Sequence, residues 1–112
     1  MNPETKQIIA DIQKYKGRDF ALLLAVEEMA ELTQALMKSI NRHKEDLENL
    51  AEETADVLFC LEFVKTAYGM TDARLSDIIN EKAADKWTHR IEKWKARVAD
   101  TGDPDSNKRI ID

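Results

Sequence analysis

Glu28, Glu31, Glu53 and Asp56 are the residues of this chain whose type and spacing suit them to chemistry. They fall in two stretches, EEMAE (27–31) and AEETADVLFC (51–60), each holding a pair of acids three positions apart. Three steps along an α-helix amount to roughly 60° of net rotation, so each pair lies on one side of its helix. In the first stretch that side also carries Ala21, Leu24, Leu32 and Ala35; in the second it carries Asn49, Val57, Cys60, Val64 and Ala67. Both pairs therefore interrupt apolar stripes. Two such helices packed antiparallel through these sides, as a short connection favours, would bring four carboxylates together. Uncompensated ionised carboxylates cost several kcal/mol each to bury, and like charges a few ångströms apart raise their pKa values or recruit a cation. Oxygen-only ligands select hard cations such as Mg²⁺ or Mn²⁺. A di-iron bundle would show Glu-x-x-His, but Ile40 and Lys86 stand three residues before His43 and His89. The competing readings are a solvated acidic face, or acids neutralised by buried Arg or Lys.

The elements that must position these acids are helices. Asn2 and Pro3 read as an N-cap and first helical residue, with Ile8, Ile9 and Ile12 at helical spacing until Gly17. A second helix is expected from Asp19 or Phe20 to about Ile40, with Asp19 as its cap, and NRHKED (41–46) as a connection. A third runs from about Glu45 to Tyr68 and is closed by Gly69 in a left-handed conformation. Thr71 and Asp72 cap a fourth, which carries Leu75, Ile78, Ile79, Ala83, Trp87, Ile91, Trp94 and Val98 at spacings of three and four, with a bend or break near Lys86 to His89. The expected fold is an all-α bundle of four to five helices over residues 1–100, followed by a mobile tail at 101–112.

Composition sets the outer bounds. At 112 residues the chain has room for one modest core, and oligomerisation is a natural way to bury more surface. Three glycines and two prolines are few for a strand-rich architecture. A net charge of -5 argues against nucleic acid or an anionic membrane as the main partner. The N-terminus has no basic segment leading into an apolar core, and no apolar run reaches about eighteen residues, so a cytoplasmic protein is expected. The single cysteine, Cys60, fits a reducing compartment and reads as a small core residue.

The acidic stretches also carry a resemblance. EEMAE (27–31) followed by EETAD (52–56) resembles the Glu-x-x-Glu then Glu-x-x-Asp signature of the MazG-like, all-α nucleoside triphosphate pyrophosphohydrolases, and the separation of the two motifs suits that family. NEK (80–82) on the fourth helix is similar to the Asn-Glu-Lys that follows the acids in MazG proteins, with Lys86 where a further basic residue is found, often arginine. Leu23 and Leu24 stand where some MazG domains carry a lysine. The resemblance spans most of 20–90. It implies cleavage of a nucleoside triphosphate between the α and β phosphates, giving a nucleoside monophosphate and pyrophosphate. In that reading Glu28, Glu31, Glu53 and Asp56 hold Mg²⁺, which binds phosphate oxygens and lowers the pKa of the attacking water, and Glu27 orients the water or supports the ligands. Asn80, Lys82, Lys86 and Arg90 are then substrate-binding residues; from spacing alone the basic row serves equally as a solvated stripe paired with Glu81, Asp85 or Glu92.

Trp87 and Trp94 invite nucleobase stacking, though such a stripe is more often core or interface. Phe59 and Phe63 read as packing, and His43 and His89 as surface groups. Within the same fold, phosphoribosyl-ATP pyrophosphohydrolase and a dUTP- or dCTP-directed relative are alternatives. Outside it, the alternative is a non-enzymatic helical dimerisation or regulatory module whose acids pair with basic residues across an interface.

Overall fold

The computed structural model describes residues 1–42 and 46–104. Every regular element among them is helical: α1 (Pro3–Lys16), α2 (Arg18–Arg42), α3 (Leu47–Ala67), α4 (Asp72–Lys82), a π-helical turn (Ala83–Trp87) and α5 (Thr88–Thr101). The last three run on as one rod, since Ala83 and Thr88 both keep right-handed helical dihedrals. None of the described helices is long and apolar enough to cross a membrane. The chain divides into two compact units, Met1–Met70 and the part from Thr71 onward.

Helix ends follow local chemistry. The Asn2 side chain accepts from the Thr5 N–H at 2.8 Å, satisfying one of the first-turn donors, and Pro3 occupies a position where a missing N–H costs nothing. Asp46 does the same for Asn49 at 3.0 Å, and Thr71 for Arg74 at 3.1 Å. Gly17 (φ 88°) breaks α1 from α2, but its carbonyl already accepts from Ala21 at 3.3 Å. The second helix therefore begins at Arg18, and Asp19 lies inside its first turn instead of capping it. There its negative charge still faces the positive end of the helix dipole. At the end of α3, Gly69 (φ 64°) donates to the Thr66 carbonyl at 3.4 Å and Met70 to that of Lys65 at 2.8 Å, the paired bonds of a Schellman motif. The expected helix start at Glu45, His43 and the tail from 105 lie outside the described residues.

In the first unit α2 and α3 form the main contact, and α1 packs on both. Their order is antiparallel: Lys38 lies across from Asn49, and Ala21 and Ala25 share a cluster with Cys60 and Phe63. That cluster, completed by Ile9 of α1, is the core, with Ile12, Leu24, Phe59 and Val64 packed against it. Two alanines on α2 make room for the large ring of Phe63, which is 0% exposed and meets Phe59 edge-on at 5.6 Å between centroids. The core sits at one end of the helix pair, and the acids lie further along.

The second unit carries no fully buried residue among those described; Leu75, Ile78, Trp94 and Val98 are half-buried. In place of the expected bend or break near Lys86 to His89, the helix continues through the π-helical turn at Ala83–Trp87. The Thr88 hydroxyl donates to the Ala83 carbonyl five residues back at 2.6 Å, the separation a π turn brings together. Because Phe63 carries the core, Phe63→Ala is expected to cost about 3–5 kcal/mol of unfolding free energy, measured by urea denaturation.

Candidate metal centre

Glu28 reaches this site because Ala21, Leu24 and Ala25 hold one side of α2 against α3, and Glu28 follows on that side one turn later. Glu53 and Asp56 come from the facing side of α3, about one to three turns before Cys60 and Phe63. The carboxylates of Glu28, Glu53 and Asp56 each offer one oxygen, and these oxygens all lie within 4.8 Å of one another. Glu28 and Glu53 are half-buried and Asp56 is exposed. Glu31 is exposed on the same side, with its carboxylate close enough to act on both Glu28 and Glu53. Glu27 is exposed and stands outside the three-oxygen group.

Burial is the first cause that pushes the Glu28 carboxyl above the ordinary carboxylate range, followed by the charges of Glu31 and Asp56, a hydrogen bond with Glu31, and the charge of Glu53. Glu53 is raised in the same way, by burial first, then by the charge and hydrogen bond of Glu31, then by Asp56 and Glu52. One oxygen of each, Oε2, is shielded from water and accepts no hydrogen bond. Neither Lys65–Glu62 nor Lys95–Glu92 involves these acids, and among the described residues no Lys or Arg pairs with them. Acceptor atoms left without a donor, in a group of like charges, are suited to a cation. All the donors are carboxylate oxygens, and their spread is compatible with ligands about 2.0–2.6 Å from one hard ion, so the residues fit Mg²⁺, Mn²⁺ or Ca²⁺ better than a soft metal.

An open groove of ≈ 370 Å³ adjoins the acids, lined by Glu31, Gln34, Ala35, Lys38, Asn49 and Glu53. Motif spacing does not point to Gln34, Lys38 or Asn49 as site residues. Their signal is the helical step: Gln34 and Lys38 lie three and seven positions after Glu31, and Asn49 four before Glu53. They place a cation and two amides beside the carboxylates.

Cys60 is buried at the wall of the site, where burial first and then the Glu28 and Asp56 charges push its thiol up. It stays protonated and inert, as a small core residue does.

In the second unit Asn80, Lys82 and Lys86 are exposed and Arg90 is half-buried. The π turn carries one more residue than an α turn, so residues five apart across it, such as Lys82 and Trp87, come to the same side. Lys86 and Arg90 both lie over the Trp87 ring, at 5.2 and 4.8 Å from its centroid. His89 is exposed and Trp94 half-buried. Compared with known proteins, the chain matches no family model, no curated protein and no solved structure.

Two outcomes follow from the acid cluster. Mg²⁺ or Mn²⁺ at about 100 times its dissociation constant is expected to stabilise the native chain by about 2.7 kcal/mol, seen as a rise in melting temperature that Glu53→Gln reduces. Without metal, the raised carboxyls make the native state hold protons that the unfolded chain releases. Stability should therefore fall as pH rises from the ordinary carboxylate range through the raised values of Glu28 and Glu53, and Glu53→Gln should flatten the slope. Thermal melts in chelator across that range measure it.

Proposed function

We propose that the chain is a Mg²⁺-dependent, MazG-like nucleoside triphosphate pyrophosphohydrolase that acts in the cytoplasm as a homodimer or homotetramer. The observation that carries this reading is the meeting of Glu28, Glu53 and Asp56 oxygens within 4.8 Å, with two shielded oxygens that accept no hydrogen bond. These are acids of the two stretches that carry the MazG-like resemblance.

In the proposed reaction water attacks the α-phosphorus. The bond from that phosphorus to the bridging oxygen breaks, and the oxygen leaves with the β and γ phosphates as pyrophosphate. Bound Mg²⁺ supplies positive charge against the phosphate oxygens and makes water more acidic. Glu28, Glu53 and Asp56 hold the ion, and Glu31 completes the negative field beside them. For Glu27, exposed one residue before Glu28, the water-orienting role rests on the resemblance. Lys38, Gln34 and Asn49 in the groove offer donors to an anionic substrate. For Asn80, Lys82, Lys86 and Arg90 the substrate role rests on the resemblance. Mn²⁺ is expected to substitute for Mg²⁺.

Pyrophosphate release assayed across the ribo- and deoxynucleoside triphosphates with Mg²⁺ tests the reading, with phosphoribosyl-ATP included as the alternative substrate of the same fold. Glu53→Gln should lower turnover by at least about 100-fold while leaving the helical circular dichroism unchanged. Equal turnover in the variant, or none from any substrate in the parent, would sink the proposal and favour a helical regulatory module.

A further inference from the structure

Helix α2 is apolar on the side turned away from the acids. Leu23, Val26, Ala30, Thr33, Met37 and Ile40 follow one another at steps of three and four, the a and d positions of a heptad, and all six are exposed. On a helical wheel they fall within about 100° of one another, roughly opposite Glu28. Met29 and Leu36 widen the stripe along one edge. The large members expose from 40% at Met29 to 63% at Leu23. Thr33 does not interrupt it, because its hydroxyl donates to the Met29 carbonyl at 2.9 Å and its methyl group is left to the surface. A helix that is apolar both toward and away from its own core is one that a larger assembly covers.

We propose that this face is covered by α2 of a second copy of the chain, packed antiparallel about a two-fold axis near residues 31 and 32. Size complementarity within the stripe selects this occupant. In an antiparallel pair Leu23 meets Ile40, Val26 meets Met37 and Ala30 meets Thr33, so large residues at both ends face large ones and the small centre faces itself. The pattern is self-complementary, as an isologous interface requires. Small central residues let the two backbones approach, and Met29 and Leu36 flank the seam. The six large side chains offer on the order of 550 Å² per copy, or about 1,100 Å² for the pair, near the area above which specific interfaces are found. The inference adds a face and a register to the proposed self-association, and it stands whether or not the carboxylates serve a hydrolase.

Sedimentation of the full chain at tens of micromolar should give two chain masses or a multiple. Val26→Glu with Met37→Glu should reduce that mass by half while keeping the helical signal. Register is read by disulfide formation under mild oxidation: a mixture of Ala30→Cys and Thr33→Cys chains should cross-link to each other faster than either does to itself, with the buried Cys60 as the unreactive background. This arm holds even if the double variant fails to fold. A parent chain that sediments at one mass overturns the proposal. So does an assembly that survives the double substitution, which would place the contact elsewhere, for instance at the exposed Leu47 and Leu58 of α3. Self-linking of each variant would mean a parallel pair and also overturns it. A monomer that still releases pyrophosphate counts against this interface alone, and a dimer without turnover counts against the hydrolase alone.

Discussion

The structure depends on carboxylates held between two helices where apolar side chains would otherwise meet. Glu28 and Glu53 are each half-buried, each raised above the ordinary carboxylate range, and each has an oxygen that neither water nor a donor satisfies. Such a cluster opposes the contact that creates it, since like charges in a partly dry gap repel more strongly than in water. The contact between α2 and α3 survives because it is secured at one end. Ala21 and Ala25 let α3 come close, and Phe63, Cys60 and Ile9 fill the space they leave. The packing at that end supplies the attraction, and the acids beyond it are held at a separation suited to a cation.

This division of labour leaves the core small. In the first unit only Ile9, Ala21, Ala25, Cys60 and Phe63 are fully buried among the described residues, while the middle of the helix pair is given to charge and to an open groove. Apolar surface that a larger core would take up stays on the outside of α2, at Leu23, Val26, Met37 and Ile40. A small helical unit with charges near its centre gains stability most directly by association, because burial of its outer stripe needs no change to the inner one. Inner face and outer face of the same helix thus do separate work, the first electrostatic and the second apolar.

Much of the helical plan was legible in the residues, and the reason is range. Asn2, Thr71 and Gly69 act on backbone groups within a few positions of themselves, so their effect is written in the local sequence. Asp19 shows the limit. As a residue type it suits a cap, but Gly17 already turns the chain and lends its carbonyl to the new helix, so Asp19 falls inside the first turn. Near Lys86 to His89, where a bend or break is expected, helical hydrogen bonding continues through a π turn at Ala83–Trp87. The acids could be found from spacing because the three-residue step on an apolar face is a local pattern. Gln34, Lys38 and Asn49 could not be singled out in the same way, because their part in the groove depends on which turns of α2 and α3 come level.

What the sequence by itself determined is therefore the all-helical fold, most of the helix ends, and the two acidic pairs set into apolar stripes, all consequences of 3.6-residue periodicity and short-range capping. Only the tertiary structure decided which acids share a site. Register between α2 and α3 brings oxygens of Glu28, Glu53 and Asp56 within 4.8 Å, lines the adjoining groove with Glu31, and leaves Glu27 exposed outside the cluster. The physical reason is that rotation about one helix axis is a property of one chain segment, whereas the distance between carboxylates on two helices depends on how Ala21, Ala25 and Phe63 pack.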